Sequence, residues 1–283
     1  LVIIKRAKTQ GFCFGVAITV KKAEEAVARP GASVTTLGHV VHNPQMVASL
    51  EEQGLRNAHS VEEVPDGSTL FVRAHGLPTP VYERAKEKNL TVIDATCPMV
   101  TKIHVQAEKL RKDGYKIVVV GDANHPEVKG TLSHVPGAWC IETVADIAKL
   151  PRASKVGVVV QSTWSGKGFT DIVKALSEKY YEVRAVNTIC TDTHNRQAEA
   201  ADLAKDVEVM VVVGGKTSAN TKHLAELSAM NGARAYHIEG PDELQPEWFA
   251  GVNVAGLMSG ASTPGWLVDQ VADRIDAFSR QGG

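Results

Sequence analysis

Short apolar runs alternate with longer stretches whose apolar residues return every third or fourth position, and this alternation carries through the whole 283-residue chain. The runs at 1–7, 33–37, 68–73, 91–95, 116–120, 156–160, 182–188, 208–213 and 253–258 predict strands, most of them bounded by Gly, Pro, Asn or Ser. Helical spacing follows the strands, at 16–29, 44–52, 98–112 and 195–205 among others. The stretch 98–112 is the clearest, with Val100, Ile103, Ala107 and Leu110 on one face, Pro98 at its start and Gly114 at its end. Strand and helix in steady alternation imply an α/β fold with parallel strands.

The alternation is itself repeated. Three cysteines, Cys13, Cys97 and Cys190, each sit at a turn that opens a helix, and a polar loop follows the next strand at steps of 29 (His42), 28 (His125) and 30 (Asn220) residues. A second loop residue lies 62, 65 and 72 residues past each cysteine, at His75, Ser162 and Ser262. This predicts three similar α/β units, at 1–96, 97–189 and 190–283, in a pseudo-threefold arrangement around a central site. Since a strand entering each cysteine precedes the break between repeats, strand 91–95 should complete the first sheet and 183–188 the second. By the same rule residues 1–7 should join the third unit.

Composition narrows the chemistry. A net charge of −1 and a pI near 6.9 leave no basic excess for nucleic acid or an anionic membrane surface. No apolar run approaches the roughly 20 residues of a spanning helix, and the amino end carries no signal-peptide pattern, so a cytoplasmic location is expected. Four cysteines without a Cys-x-x-Cys pair argue against a disulfide framework. If the repeat brings Cys13, Cys97 and Cys190 together, three thiolates suggest a soft metal or iron–sulfur centre with one open coordination position. Cys140 has no counterpart in the other units and reads as a small buried hydrophobe.

Around that centre the repeat places His42, His75, His125, Glu127, Ser162, Thr163, Ser218, Asn220 and Ser262, a donor set suited to phosphate oxygens. The remaining histidines lack this support and read as surface or structural. Gly214-Gly215-Lys216-Thr217 lacks the first glycine of a Walker loop, and His125-Pro126-Glu127 has no following Pro-Cys-x-x-Cys of a zinc deaminase.

The motifs Gly-Phe-Cys-Phe-Gly-Val (11–16), Val-Val-His-Asn (40–43), Ala-His-Gly (74–76), Asp-Ala-Thr-Cys-Pro-Met-Val-Thr-Lys (94–102), His-Pro-Glu-Val-Lys-Gly-Thr (125–131) and Thr-His-Asn-Arg-Gln (193–197) are similar, in order and over nearly the whole chain, to the 4-hydroxy-3-methylbut-2-enyl diphosphate reductases. The resemblance implies the last step of the methylerythritol phosphate route to isoprenoids, a two-electron, two-proton reductive removal of an allylic hydroxyl. It implies a 4Fe–4S cluster on Cys13, Cys97 and Cys190, and substrate contacts from His42, His75 and His125. It further implies proton supply by Glu127, a hydroxyl from Ser162 where the family usually has threonine, and diphosphate binding by Ser218, Asn220 and Ser262. Two positions depart from the family: Phe14 stands for the usual alanine, and Ala219 for a serine among the diphosphate contacts.

No nicotinamide fingerprint follows a strand, so a ferredoxin or flavodoxin-type protein is expected to deliver electrons. A lyase such as quinolinate synthase, also a threefold α/β protein with a three-cysteine cluster, is the competing enzyme class. An iron–sulfur sensor or scaffold is the non-enzyme alternative, though it would have no use for His125-Pro126-Glu127 beside its cluster.

Overall fold

The structure is a computed structural model and describes residues 2–281. In chain order the elements are β1 (Ile3–Arg6), α1 (Phe14–Val27), β2 (Val34–Leu37), α2 (Pro44–Glu52), β3 (Arg56–Ala58), β4 (Thr69–Val72), α3 (Thr79–Glu87) and β5 (Thr91–Asp94). Then follow α4 (Pro98–Lys112), β6 (Lys116–Val120), α5 (Pro126–His134), β7 (Trp139–Ile141), β8 (Lys155–Val160), α6 (Gly166–Lys179) and β9 (Glu182–Ala185). The last are α7 (Thr191–Leu203), β10 (Val209–Val213), α8 (Ala219–Met230), β11 (Arg234–Ile238), β12 (Val254–Ser259) and α9 (Gly265–Gln281).

Three parallel four-stranded sheets result, in the orders β3-β2-β4-β5, β7-β6-β8-β9 and β1-β12-β10-β11. Ile3 pairs with Val254 and Arg6 with Leu257, so the first strand does lie in the last sheet, while β5 and β9 close the other two. By its contacts the chain divides into two compact units, one of residues up to 17, 41–52 and from 191 on, the other of residues 18–40 and 53–190.

The first unit holds the sheet β1-β12-β10-β11. Val209–Val213 is fully buried on both faces. One face carries Val209, Val211 and Val213 against Leu267, Val268, Val271 and Ile275 of α9. The other carries Met210 and Val212 against Ala200 of α7 and Leu224 of α8. This two-sided cover is why the strand reads as a continuous apolar run. The exposed edge strand β1 carries Lys5 and Arg6, paired with Asp206 and Asp269, charges that discourage further strand addition.

The second unit holds the other two sheets. Val118, Val120, Val156, Val158 and Val160 pack on Phe169, Ile172 and Leu176 of α6. The opposite face, Ile117, Val119 and Val159, meets Ile103, Ala107 and Leu110, the stripe expected on α4. Leu70 and Val72 of β4 pack with Leu37, Ala58 and Ala85.

Three edge strands, β3, β7 and β11, are absent from the sequence reading, being short or irregular in pattern. Two helix starts also move: α1 begins at Phe14 rather than 16, and α7 at Thr191 rather than 195, so both follow a cysteine directly. Cys140 lies on β7, its thiol donating to Gly121 O at 3.3 Å and pushed up to about 11, chiefly by burial; it is a structural side chain.

Candidate active site

The three repeat cysteines form no disulfide with one another and are of intermediate burial, and each immediately precedes a helix. Their backbones are held in the same way. Cys97 N donates to Ala74 O at 2.9 Å, Cys190 N to Ser162 O at 2.9 Å, and Cys13 N to Ala261 O at 2.9 Å. Each acceptor lies just past the strand beside the one that leads into the cysteine, so the sheet register carries each cysteine to the carboxyl edge. Pro98 suits the first position of α4, where no intrahelical partner awaits an N–H.

Burial pushes the Cys97 thiol up, as do the charges of Cys190 and Glu127, while N–H groups of Met99 and Val100 pull the other way. Val16 N donates to Cys13 Sγ at 3.4 Å. Cysteine thiols at helix amino ends, with backbone N–H groups directed at the sulfurs of Cys13 and Cys97, have the donor chemistry that fits an iron–sulfur cluster.

In the second unit the loops after β4, β6 and β8 bring together most of the expected residues. His125 caps α5: its Nδ1 accepts from Glu127 N at 3.3 Å, which leaves Nε2 as the protonated nitrogen of the neutral ring. Burial is the main cause that drops His125 to about 4, with Arg73 adding to it and Asp122 opposing, so the ring is neutral near pH 7. The His75 ring stands edge-on to His125 at 5.3 Å between centroids.

Glu127, only 2% exposed, accepts from Ser162 twice, from N at 2.6 Å and from Oγ at 2.5 Å. Burial raises this carboxyl above its usual range, and the two Ser162 bonds offset part of the rise. Thr163 is half-buried and accepts from Gln161 Nε2 at 2.8 Å, while Gln161 Oε1 accepts from Asp122 N at 3.1 Å and ties the two loops together.

In the first unit Ser218 caps α8, its Oγ accepting from Thr221 N at 3.3 Å. Asn220 is 4% exposed, yet among the described residues neither its amide nitrogen nor its oxygen has a protein partner. A buried amide left unsatisfied is costly, and both its donor and its acceptor are available to a polar ligand. Ala219 between them is exposed. Ser262 Oγ donates to His42 O at 3.5 Å, and a Cβ on Gly215 would lie 2.2 Å from that same oxygen, so glycine is required where the His42 loop crosses.

Asn43 joins this set without having been singled out. Its Oδ1 caps α2 by accepting from Met46 N at 2.9 Å, and its buried Nδ2 has no partner among the described residues. Its only sequence signal was a place in Val-Val-His-Asn. Among the other histidines, His104 is a core residue, 7% exposed and stacked on His134 with centroids 4.2 Å apart.

A family model described as LytB protein matches residues 4–276. The chain is 46% identical over 280 residues, 99% of both chains, to the 4-hydroxy-3-methylbut-2-enyl diphosphate reductase of Anaeromyxobacter sp. (strain Fw109-5). It is 44% identical over 276 residues, 97% of both chains, to the enzyme of that name from Geobacter sulfurreducens. Two solved structures are similar. The Plasmodium falciparum E-1-hydroxy-2-methyl-but-2-enyl-4-diphosphate reductase has a TM-score of 0.92 at 31% identity, covering 96% of this chain and 87% of that one. The other, described as (E)-4-hydroxy-3-methyl-but-2-enyl diphosphate reductase, the terminal enzyme of the non-mevalonate pathway, has a TM-score of 0.74 at 41% identity, covering 98% and 100%. With a family model over nearly its whole length and relatives this similar from end to end, the chain belongs to the LytB family.

Proposed function

We infer that the chain is a 4-hydroxy-3-methylbut-2-enyl diphosphate reductase. It takes (E)-4-hydroxy-3-methylbut-2-enyl diphosphate, two electrons and two protons to isopentenyl or dimethylallyl diphosphate and water, closing the methylerythritol phosphate route. The observation that carries this reading is the buried Glu127–Ser162 pair, whose Ser162 carbonyl holds Cys190, in a chain matched over 99% of its length by a relative that bears the name.

Cys13, Cys97 and Cys190 would hold a 4Fe–4S cluster, leaving one iron without a protein ligand. When bound, that cluster supplies electrons and a Lewis acid for the substrate hydroxyl. The protein supplies the rest. Glu127, its carboxyl raised by burial, retains a proton further toward neutrality than an exposed glutamate and delivers it to the departing oxygen. Ser162 fixes the carboxyl in place and keeps a hydroxyl at the reacting end. His125, neutral, offers Nε2–H as a donor, with His75 against its ring. Ser218, Asn220 and Ser262 bind diphosphate oxygens, and His42 and Thr163 contribute to the substrate pocket. At Ala219 one hydroxyl contact is missing.

The repeat limits at 1–96, 97–189 and 190–283 belong to this reading, as does an external ferredoxin or flavodoxin-type donor in the cytoplasm. Among the described residues no helix is long and apolar enough to cross a membrane. The test is direct. Purify without oxygen, count iron and sulfide per chain, reduce the protein, and follow the hydroxylated diphosphate and both products. A protein that carries a full cluster and leaves this substrate untouched overturns the reading, and turnover of a quinolinate precursor instead would install the lyase.

A further inference from the structure

Arg196 of α7 is 1% exposed, so its charge is removed from water and every donor needs an acceptor. The guanidinium finds four. Nε donates to Asp192 Oδ2 at 2.7 Å, one turn earlier on the helix. Nη1 donates to Thr9 O at 3.1 Å and to Ser259 O at 3.0 Å, and Nη2 to Gly11 O at 3.0 Å. Three of the four acceptors are main-chain carbonyls, two of them in the loop that enters Cys13. From the next turn of the same helix, the Glu199 carboxylate accepts from Lys8 N and Thr9 N. Gly11 N donates to Ser259 Oγ at 3.0 Å, and Cys13 N to Ala261 O at 2.9 Å.

A side chain that merely filled space here would be apolar, since a buried charge is expensive unless fully paired. The planar fork has a purpose that bulk cannot serve: it fixes two carbonyls of one loop against the end of β12 in a single rigid group. We propose that Arg196 is the positioning residue for the Cys13 thiol, setting the path of residues 9–13 so that the sulfur is presented at the end of β12. The proposal rests on the reading of Cys13 as a cluster ligand. Lysine keeps the charge but loses the fork, and cannot hold Thr9, Gly11 and Ser259 together.

The test uses the full-length chain, without oxygen. In the metal-free folded protein the alkylation rate of each cysteine by iodoacetamide is read by mass spectrometry, with Cys97, Cys190 and Cys140 as internal references. In the reconstituted protein the rate of iron loss to a chelator is read beside the cluster's electron paramagnetic resonance. For Arg196→Lys, Cys13 should alkylate about tenfold faster relative to the other three, the scale of roughly one or two lost hydrogen bonds. Iron loss should quicken in parallel.

Asp192→Asn, which leaves the guanidinium but removes its anionic partner, should give a smaller change with the same selectivity, and serves if the lysine variant does not fold. Unchanged relative rates in the folded variants overturn the proposal. So does a uniform rise at all four cysteines, which would make Arg196 a residue that holds the fold and nothing more. Cys13→Ser separates the underlying reading: undiminished iron in that variant would remove Cys13 as a ligand whatever Arg196 does.

Discussion

Glu127→Gln separates proton transfer from packing. The glutamate accepts two short hydrogen bonds from Ser162 in a site where it is 2% exposed. Glutamine has nearly the same volume: its amide oxygen can accept from Ser162 N, and its amide nitrogen can donate to Oγ, which turns to accept. No cavity forms; the Ser162 hydroxyl hydrogen gives up its carboxylate acceptor, a cost of about 1–3 kcal/mol, so the fold should be weakened and not lost. The titratable proton is gone, and general acid catalysis is worth about 100- to 10,000-fold. Turnover should therefore fall by at least about 100-fold, with iron content and substrate affinity kept.

Stability should respond with a defined sign. Burial raises the folded carboxyl above its unfolded value of 4.5, so the folded chain keeps the proton to higher pH. The wild-type fold then loses stability as pH climbs from the unfolded value through the folded one. Glutamine does not titrate, and its melting temperature should gain on the wild type across that climb. Melting curves between pH 5 and 8, iron counts and turnover on one anaerobic preparation test all of this. Near-normal turnover, or activity lost only in step with iron, refutes Glu127 as the proton donor.

Ser162→Ala removes a bond that favours the ionised carboxyl, so the alkaline limb of turnover should move to higher pH; a shift to lower pH would contradict the geometry. Asn220→Ala should weaken substrate binding roughly ten- to hundredfold, the scale of about 1.5–3 kcal/mol for hydrogen bonds to a charged group, with kcat little changed; titration of the loaded enzyme reads it. Ala219→Ser adds one neutral hydroxyl at an exposed position and should tighten binding by no more than about tenfold, or about 1.4 kcal/mol. Burial holds His104 at about 4, so the unfolded chain takes up its proton first and stability falls as pH drops from about 6.5 to about 4. His104→Leu should flatten that part of the melting profile, and an unchanged slope would exclude His104 as its source.

What the sequence made legible follows from what each residue must satisfy. Val209–Val213 and Lys116–Val120 are covered on both faces, and such strands announce themselves as unbroken apolar runs. Arg56–Ala58 and Arg234–Ile238 have only one neighbour each and face water in part, so they carry no period. The turn at each of Cys13, Cys97 and Cys190 was legible because the repeat sets every one of them directly before a helix. Arg196 stood inside a recognisable motif, Thr-His-Asn-Arg-Gln, without a visible task, because three of its four acceptors are backbone carbonyls 63, 185 and 187 residues away. Asn43 showed only its place before Pro44 and in Val-Val-His-Asn, because an amide nitrogen whose partner is lacking leaves no pattern in the sequence.

The placing of β1 beside β12 orders events in time. Gly11 finds its partner on Ser259, 248 residues later, and at about 5–20 residues per second a ribosome needs on the order of 12–50 s to supply it. Cys13 is thus the first of the three cysteines to be made and the last to gain its scaffold. Until β12 has emerged, its thiol waits on an unpaired strand, open to oxidation and to stray metal, while Cys97 and Cys190 can already be seated. On the proposed reading a cluster would therefore reach this chain only after β12 has been made, and a ribosome stalled before β12 leaves a nascent protein with two placed thiols and one loose one.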